Sequence, residues 1–100
     1  MWAWLKKLTG AEEALNIDPN EPVTWIDVRS AQEFSGGHVA GALNIPHSDI
    51  GARIGKVQPN KQALIYVYCH SGMRSAAAKK TLNQMGYTRV VNKGAYARLR

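Results

Sequence analysis

One hundred residues, 45% of them hydrophobic and 20% charged, are enough for one domain with its own core and exclude a disordered or fibrous chain. Thirteen lysines and arginines against seven acids give a net charge of +6, which favours anionic partners. The basic residues are scattered and carry no nucleic-acid signature, so nucleic acid is not an expected partner. The single cysteine, Cys69, excludes an internal disulfide and a cysteine-based zinc site built from this chain alone. Neither a metal nor a cofactor is expected.

In chain order, residues 1–8 come first. Trp4, Leu5 and Leu8 would share one face of a short helix beside Lys6 and Lys7. The expectation is that this face docks on the domain, with contact to a membrane surface as the alternative. The segment lacks the uninterrupted apolar stretch of a signal peptide and is too short to span a bilayer. The compartment stays open, the cytoplasm slightly favoured over a periplasm reached through a signal already removed.

A helical pattern over residues 11–15 gives way to Asp18-Pro19-Asn20-Glu21-Pro22, two prolines and turn formers that read as a loop. Residues 1–22 are therefore read as an N-terminal segment with its connecting loop, and residues 23–100 as the domain. Residues 23–28 and 64–68 are short, apolar, and rich in β-branched and aromatic side chains, which suits strands buried on both faces of a parallel sheet. Between them Ser30 can cap a helix over residues 31–34, with Glu33 completing a capping box and Gly36-Gly37 ending it. Residues 42–45 form a candidate strand closed by Pro46, and Ser48 or Asp49 can cap a helix reaching Ile54.

The clearest helix spans residues 75–85. Ala78, Leu82 and Met85 recur at helical spacing, Ser75 is the expected N-cap, and Gly86 is the stop. Residues 89–92 are a last strand, followed by a helical stub over 95–99. Strands alternating with helices predict a three-layer α/β domain, a mainly parallel central sheet flanked by helices.

Cys69-His70-Ser71-Gly72-Met73-Arg74-Ser75 lies where a buried strand passes into a helix. Open α/β sheets bind ligands at that end. A loop curling round the sulfur would aim backbone N–H groups at it, and the helix N-terminus adds positive potential, both favouring a thiolate. Arg74 would stand at the rim, where its planar fork can hold an oxyanion such as thiosulfate. Asp27 and Arg29 read as a supporting pair, and His38 as a packed, hydrogen-bonded histidine. His47 reads as an exposed loop residue. For His70, a ring in the site and a ring in solvent are equal alternatives.

Trp25-Ile26-Asp27-Val28-Arg29, Glu33-Phe34, the run from Gly37-His38-Val39 to Asn44-Ile45-Pro46, Tyr68-Cys69 with its loop, Arg74-Ser75-Ala76 and Gly86-Tyr87 together resemble the rhodanese family, most closely its small single-domain members. The resemblance covers about residues 23–94. It implies a rhodanese-like domain with thiosulfate sulfurtransferase activity. Cys69 would be the persulfide carrier, the amides from His70 through Ser71, Gly72, Met73 and Arg74 to Ser75 its cradle, and cyanide, a thiol or a protein the acceptor. The sequence departs from the family at His70, where many members have arginine, and at Lys93-Gly94, where many have paired glycines.

Two alternatives stand beside this reading. A cysteine-based phosphatase of the related cell-cycle type would have five residues between cysteine and arginine, whereas here four intervene. A sulfur-carrier or protein-interaction module of the same fold is the other, and the presence of Cys69 argues against a module that has lost its chemistry.

Overall fold

The computed structural model describes residues 15–100, so the amphipathic reading of residues 1–8 and the start of the helical pattern at Ala11 lie outside the described residues. The elements run β1 Thr24–Asp27, α1 Ala31–Ser35, β2 Leu43–Asn44, a 3-10 turn His47–Asp49, α2 Ile50–Val57, β3 Ile65–Cys69, α3 Met73–Gln84, β4 Val90–Ala95 and a final 3-10 turn Tyr96–Arg98. Among the described residues the strands form one four-stranded sheet in the order β2-β1-β3-β4, with every pairing parallel. Helices pack around it, the expected three-layer α/β arrangement.

β3 explains why its sequence shows no polar alternation. Successive side chains of a strand point to opposite faces. Ile65, Val67 and Cys69 join an aliphatic cluster with Ile26, Val28, Ile50, Ile54, Ala78 and Leu82. Tyr66 and Tyr68 enter an aromatic group with Trp25 and Tyr96, at ring separations of 5.0 to 6.1 Å. Both faces are covered, so both sets of positions are apolar.

Local signals set most boundaries. Ser30 caps α1 through the Glu33 amide while the Glu33 carboxylate reaches back to the Ser30 amide, the capping box the sequence predicts. Gly86, at φ 99°, closes α3 with Tyr87 N–H donating to Leu82 O and Gly86 N–H to Asn83 O. These two bonds are the paired signature of a left-handed C-terminal stop.

Three expectations need correction. Ser75 does not cap α3. The helix starts at Met73 behind Gly72, which sits in the left-handed region at φ 99°, and Ser75 is fully buried in the first turn. α2 begins after a 3-10 turn and runs on to Val57, and its N-cap Asp49 makes no side-chain capping bond. β4 runs through Lys93-Gly94 to Ala95, where the sequence suggests an end at Asn92. Its register jumps from Val67 opposite Asn92 to Tyr68 opposite Gly94, a β-bulge at Lys93. Bulges re-aim side chains beside functional sites, and this one adjoins Cys69.

Candidate functional site

Cys69 is the last residue of β3 and fully buried, so its sulfur lies at the carboxyl end of a central strand, where α3 begins. Only His70, Ser71 and Gly72 separate strand from helix. So short a reversal needs a left-handed residue. Gly72 supplies it, and a Cβ placed there would also sit 3.5 Å from Gly94 Cα of the bulged strand.

The Gly72 N–H donates to Cys69 Sγ at 2.9 Å, and the Ser75 hydroxyl lies 3.5 Å from it. Burial alone would push the thiol up. The Ser75 hydroxyl, then the amides of Ser75, Gly72 and Ser71, outweigh it and hold the Cys69 thiol below its ordinary range. Of the loop amides from His70 to Ser75, Gly72 N–H bonds the sulfur directly, the Ser71 and Ser75 amides add to the positive field on it, and the Ser75 side chain supplies a hydroxyl as well. His70 and Ser71 are exposed, and Met73 is 78% exposed at the mouth of the loop.

Arg74 stands at the rim, and its fork is engaged. Its two terminal nitrogens donate to the two oxygens of Glu33 at 2.9 and 3.0 Å, tying α3 to α1 across 41 residues of chain. Arg74 holds the Glu33 carboxyl down at about 2, with the Ser30 amide and hydroxyl adding to the effect. A carboxyl whose folded value is depressed stabilises the fold above its unfolded value, ordinarily about 4.3, and that contribution is lost as pH falls through about 2. Both side chains are about one-third exposed, which keeps the contribution small. The expected result is that Glu33→Gln lowers the melting temperature at neutral pH and that the gap to the wild type closes between pH 5 and 2; a gap constant over that range would remove the ion pair from the acid response.

Asp27 and Arg29 form the predicted support. Both are buried, with Arg29 Nε and Nη2 donating to the Asp27 carboxylate at 2.6 to 3.0 Å. Arg29 Nη2 also donates to Gly37 O at 2.7 Å, and the guanidinium lies over the Tyr96 ring at 4.4 Å. The Tyr68 hydroxyl accepts from Val39 N–H at 2.9 Å, and burial pushes it up to about 12. These contacts anchor the 37–39 loop to the strand that ends in Cys69. His38 stacks on Phe34 at 3.6 Å with Nδ1 2.8 Å from Phe34 O, though it is exposed rather than packed inside; His47 is exposed as expected.

Sequence reasoning missed Asn92. Its Oδ1 accepts from the Ser75 hydroxyl at 2.7 Å and from Gly94 N–H at 2.9 Å, and its Nδ2 donates to Gly72 O at 3.1 Å. One amide therefore joins the loop, the first turn of α3 and the bulge. An asparagine in the middle of a β-branched strand was the available signal.

The Rhodanese-like domain profile matches residues 2–97. The chain is 44% identical over 70 residues to the thiosulfate sulfurtransferase PspE of Escherichia coli (strain K12), covering 70% of this chain and 67% of that protein. YrkF of Bacillus subtilis (strain 168), a candidate sulfur carrier by its name, is 33% identical over 76 residues, covering 76% of this chain but only 40% of its own length. The solved structure of a rhodanese with anions from E. coli superimposes with a TM-score of 0.74 at 41% identity, covering 76% of this chain and 89% of that one.

Proposed function

Because the chain belongs to the rhodanese family, we propose that Cys69 accepts the outer sulfur of thiosulfate as a persulfide and passes it to a thiol. Named sulfurtransferases among the relatives support sulfur transfer as the reaction class. The observation that carries the reading is the donor set on Cys69 Sγ: the amides and the Ser75 hydroxyl favour a negatively charged sulfur at the end of β3.

The Cys69 thiolate attacks the outer sulfur of thiosulfate. A new S–S bond forms, the bond to the sulfonate breaks, and sulfite leaves with its electron pair. The charge of −3 is the same on both sides, and the terminal sulfur of the persulfide now bears the single negative charge left on the protein. An acceptor thiolate then attacks that sulfur and releases Cys69 as a thiolate, a two-step nucleophilic cycle. Cyanide can replace the thiol in an assay. Donors already aimed at the sulfur need no reorganisation as charge moves, and each well-placed one is worth about 3 kcal/mol.

In this reading Arg74 attracts the donor by charge from a position fixed by Glu33, since the Glu33 carboxylate already occupies its fork. Arg74→Ala is expected to raise the KM for thiosulfate about threefold with a smaller change in kcat, the size of a partly exposed charge attraction rather than of a direct bond. An unchanged KM would take Arg74 out of donor binding. The reading as a whole is tested by mass spectrometry after incubation with thiosulfate. It expects a gain of one sulfur atom on Cys69, removed by a small thiol; no gain under turnover conditions overturns it.

A further inference from the structure

The Ser75 hydroxyl has one proton and three acceptors around it: Asn92 Oδ1 at 2.7 Å, Gly72 O at 3.0 Å and Cys69 Sγ at 3.5 Å. The orientation of the Asn92 amide follows from its other neighbours. Gly94 N–H can only donate, so the atom 2.9 Å from it is the oxygen, and Gly72 O can only accept, so the atom 3.1 Å from it is the nitrogen. Ser75 therefore faces an oxygen that cannot donate to it. Its proton can satisfy one of the three at any instant; Gly72 O already accepts from Asn92 Nδ2, so the contest for that proton is between the sulfur and Asn92 Oδ1.

We infer that Asn92 is a positioning residue that competes with Cys69 Sγ for the Ser75 proton, holding it while the sulfur is uncharged and yielding it when the sulfur is a thiolate. In the thiol state the shorter contact wins, and the S–H can donate to the Ser75 oxygen. In the thiolate state the hydroxyl turns to the sulfur, and Asn92 Oδ1 keeps its bond from Gly94 N–H. Once the persulfide has formed, the inner sulfur carries no formal charge and the proton returns to Asn92. Asn92 thus moderates how strongly the empty site stabilises its nucleophile, and links that to the state of loading.

The geometry behind this comes from the bulge, which brings Asn92 and Gly94 of β4 against Gly72 of the loop. The titratable and charged groups on the elements packed around the sulfur are His70 beside it in the loop, Tyr68 on β3, Arg74 on α3 with its Glu33 partner on α1, the Asp27–Arg29 pair at the end of β1, and Lys93 on β4. None of them is altered by the substitutions below.

The test is the pH dependence of the rate at which iodoacetamide alkylates Cys69, in the wild type, S75A, N92A and the double variant. Removing the Ser75 donor should raise the apparent pKa by about one pH unit, the size of one hydrogen bond to a charged group. Removing Asn92 leaves the hydroxyl to the sulfur and to Gly72 O, and a thiolate is the stronger acceptor of the two, so N92A should lower the apparent pKa in the Ser75 background and leave it unchanged in S75A. A merely structural Asn92 would loosen the amide cradle and raise the value in both backgrounds. A rise, or equal shifts in both, overturns the inference. N92D keeps the acceptor, holds the proton more tightly and should raise the value more with Ser75 present than without it; equal rises overturn it. That comparison decides the matter if N92A does not fold. The inference takes its meaning for turnover from the proposed sulfur transfer, but alkylation needs no turnover. A protein inactive with thiosulfate that still shows the Ser75-dependent shift would refute the function and leave the competition standing.

Discussion

Cys69→Ser is expected to produce no thiocyanate from thiosulfate and cyanide above the uncatalysed background, while its melting temperature stays close to that of the wild type. A hydroxyl cannot store sulfur, so the loss is complete rather than graded. The fold should tolerate the exchange because the oxygen meets donors already in place, the Gly72 N–H at 2.9 Å and the Ser75 hydroxyl. The side chain is also small for a core position, so the cavity left is slight. Thiocyanate formed at the wild-type rate would refute the assignment of Cys69. A collapsed melting transition would instead mark the residue as one the core needs.

The largest effect on stability is expected from Asp27→Ala. Asp27 is fully buried and Arg29 is 5% exposed, so removing the carboxylate leaves a buried guanidinium whose remaining direct contacts among the described residues are Gly37 O and the faces of Tyr68 and Tyr96. Breaking a buried pair by deleting one partner costs about 3 to 5 kcal/mol. For a domain of this size that lowers the melting temperature by roughly 15 °C or more. Replacing both residues by apolar ones, D27L with R29M, should cost less than D27A alone, because no charge is left buried. A melting temperature unchanged in D27A would mean that water reaches Arg29 and that the pair is not the anchor of the 37–39 loop.

The sequence announces this pair, two residues apart at the end of an apolar run, and it announces Cys69 as the residue at the sheet's carboxyl edge. Features of that kind are local, written in periodicity and in turn chemistry, as are the capping box at Ser30 and the stop at Gly86. What it hides depends on contacts between distant segments. Ser75 looks like a helix cap because serine before an alanine run usually is one; instead Gly72 in a left-handed conformation opens the helix and leaves the hydroxyl between Asn92 and the sulfur. Glu33 is legible as the partner of Ser30, yet its second partner Arg74 is 41 residues away, so the engagement of that fork cannot be read from either neighbourhood. Asn92 is harder still. Its reach to Ser75 and Gly72 depends on how β4 pairs with β3 and on the jump of register at Lys93, and no neighbouring residue encodes that pairing.

That same jump of register bears on how the molecules behave toward one another. Among the described residues the sheet ends in β2, two residues long, on one side and in β4 on the other. An open strand edge can template pairing with a neighbouring chain, and proteins guard against this with very short edges, charged residues and bulges. Here the short edge has little ladder to offer, while the long one is kinked at a lysine part-way along. Concentrated solutions should therefore stay monodisperse, with no growth of cross-strand aggregates, and straightening β4 by deleting Lys93 should make the protein more prone to associate.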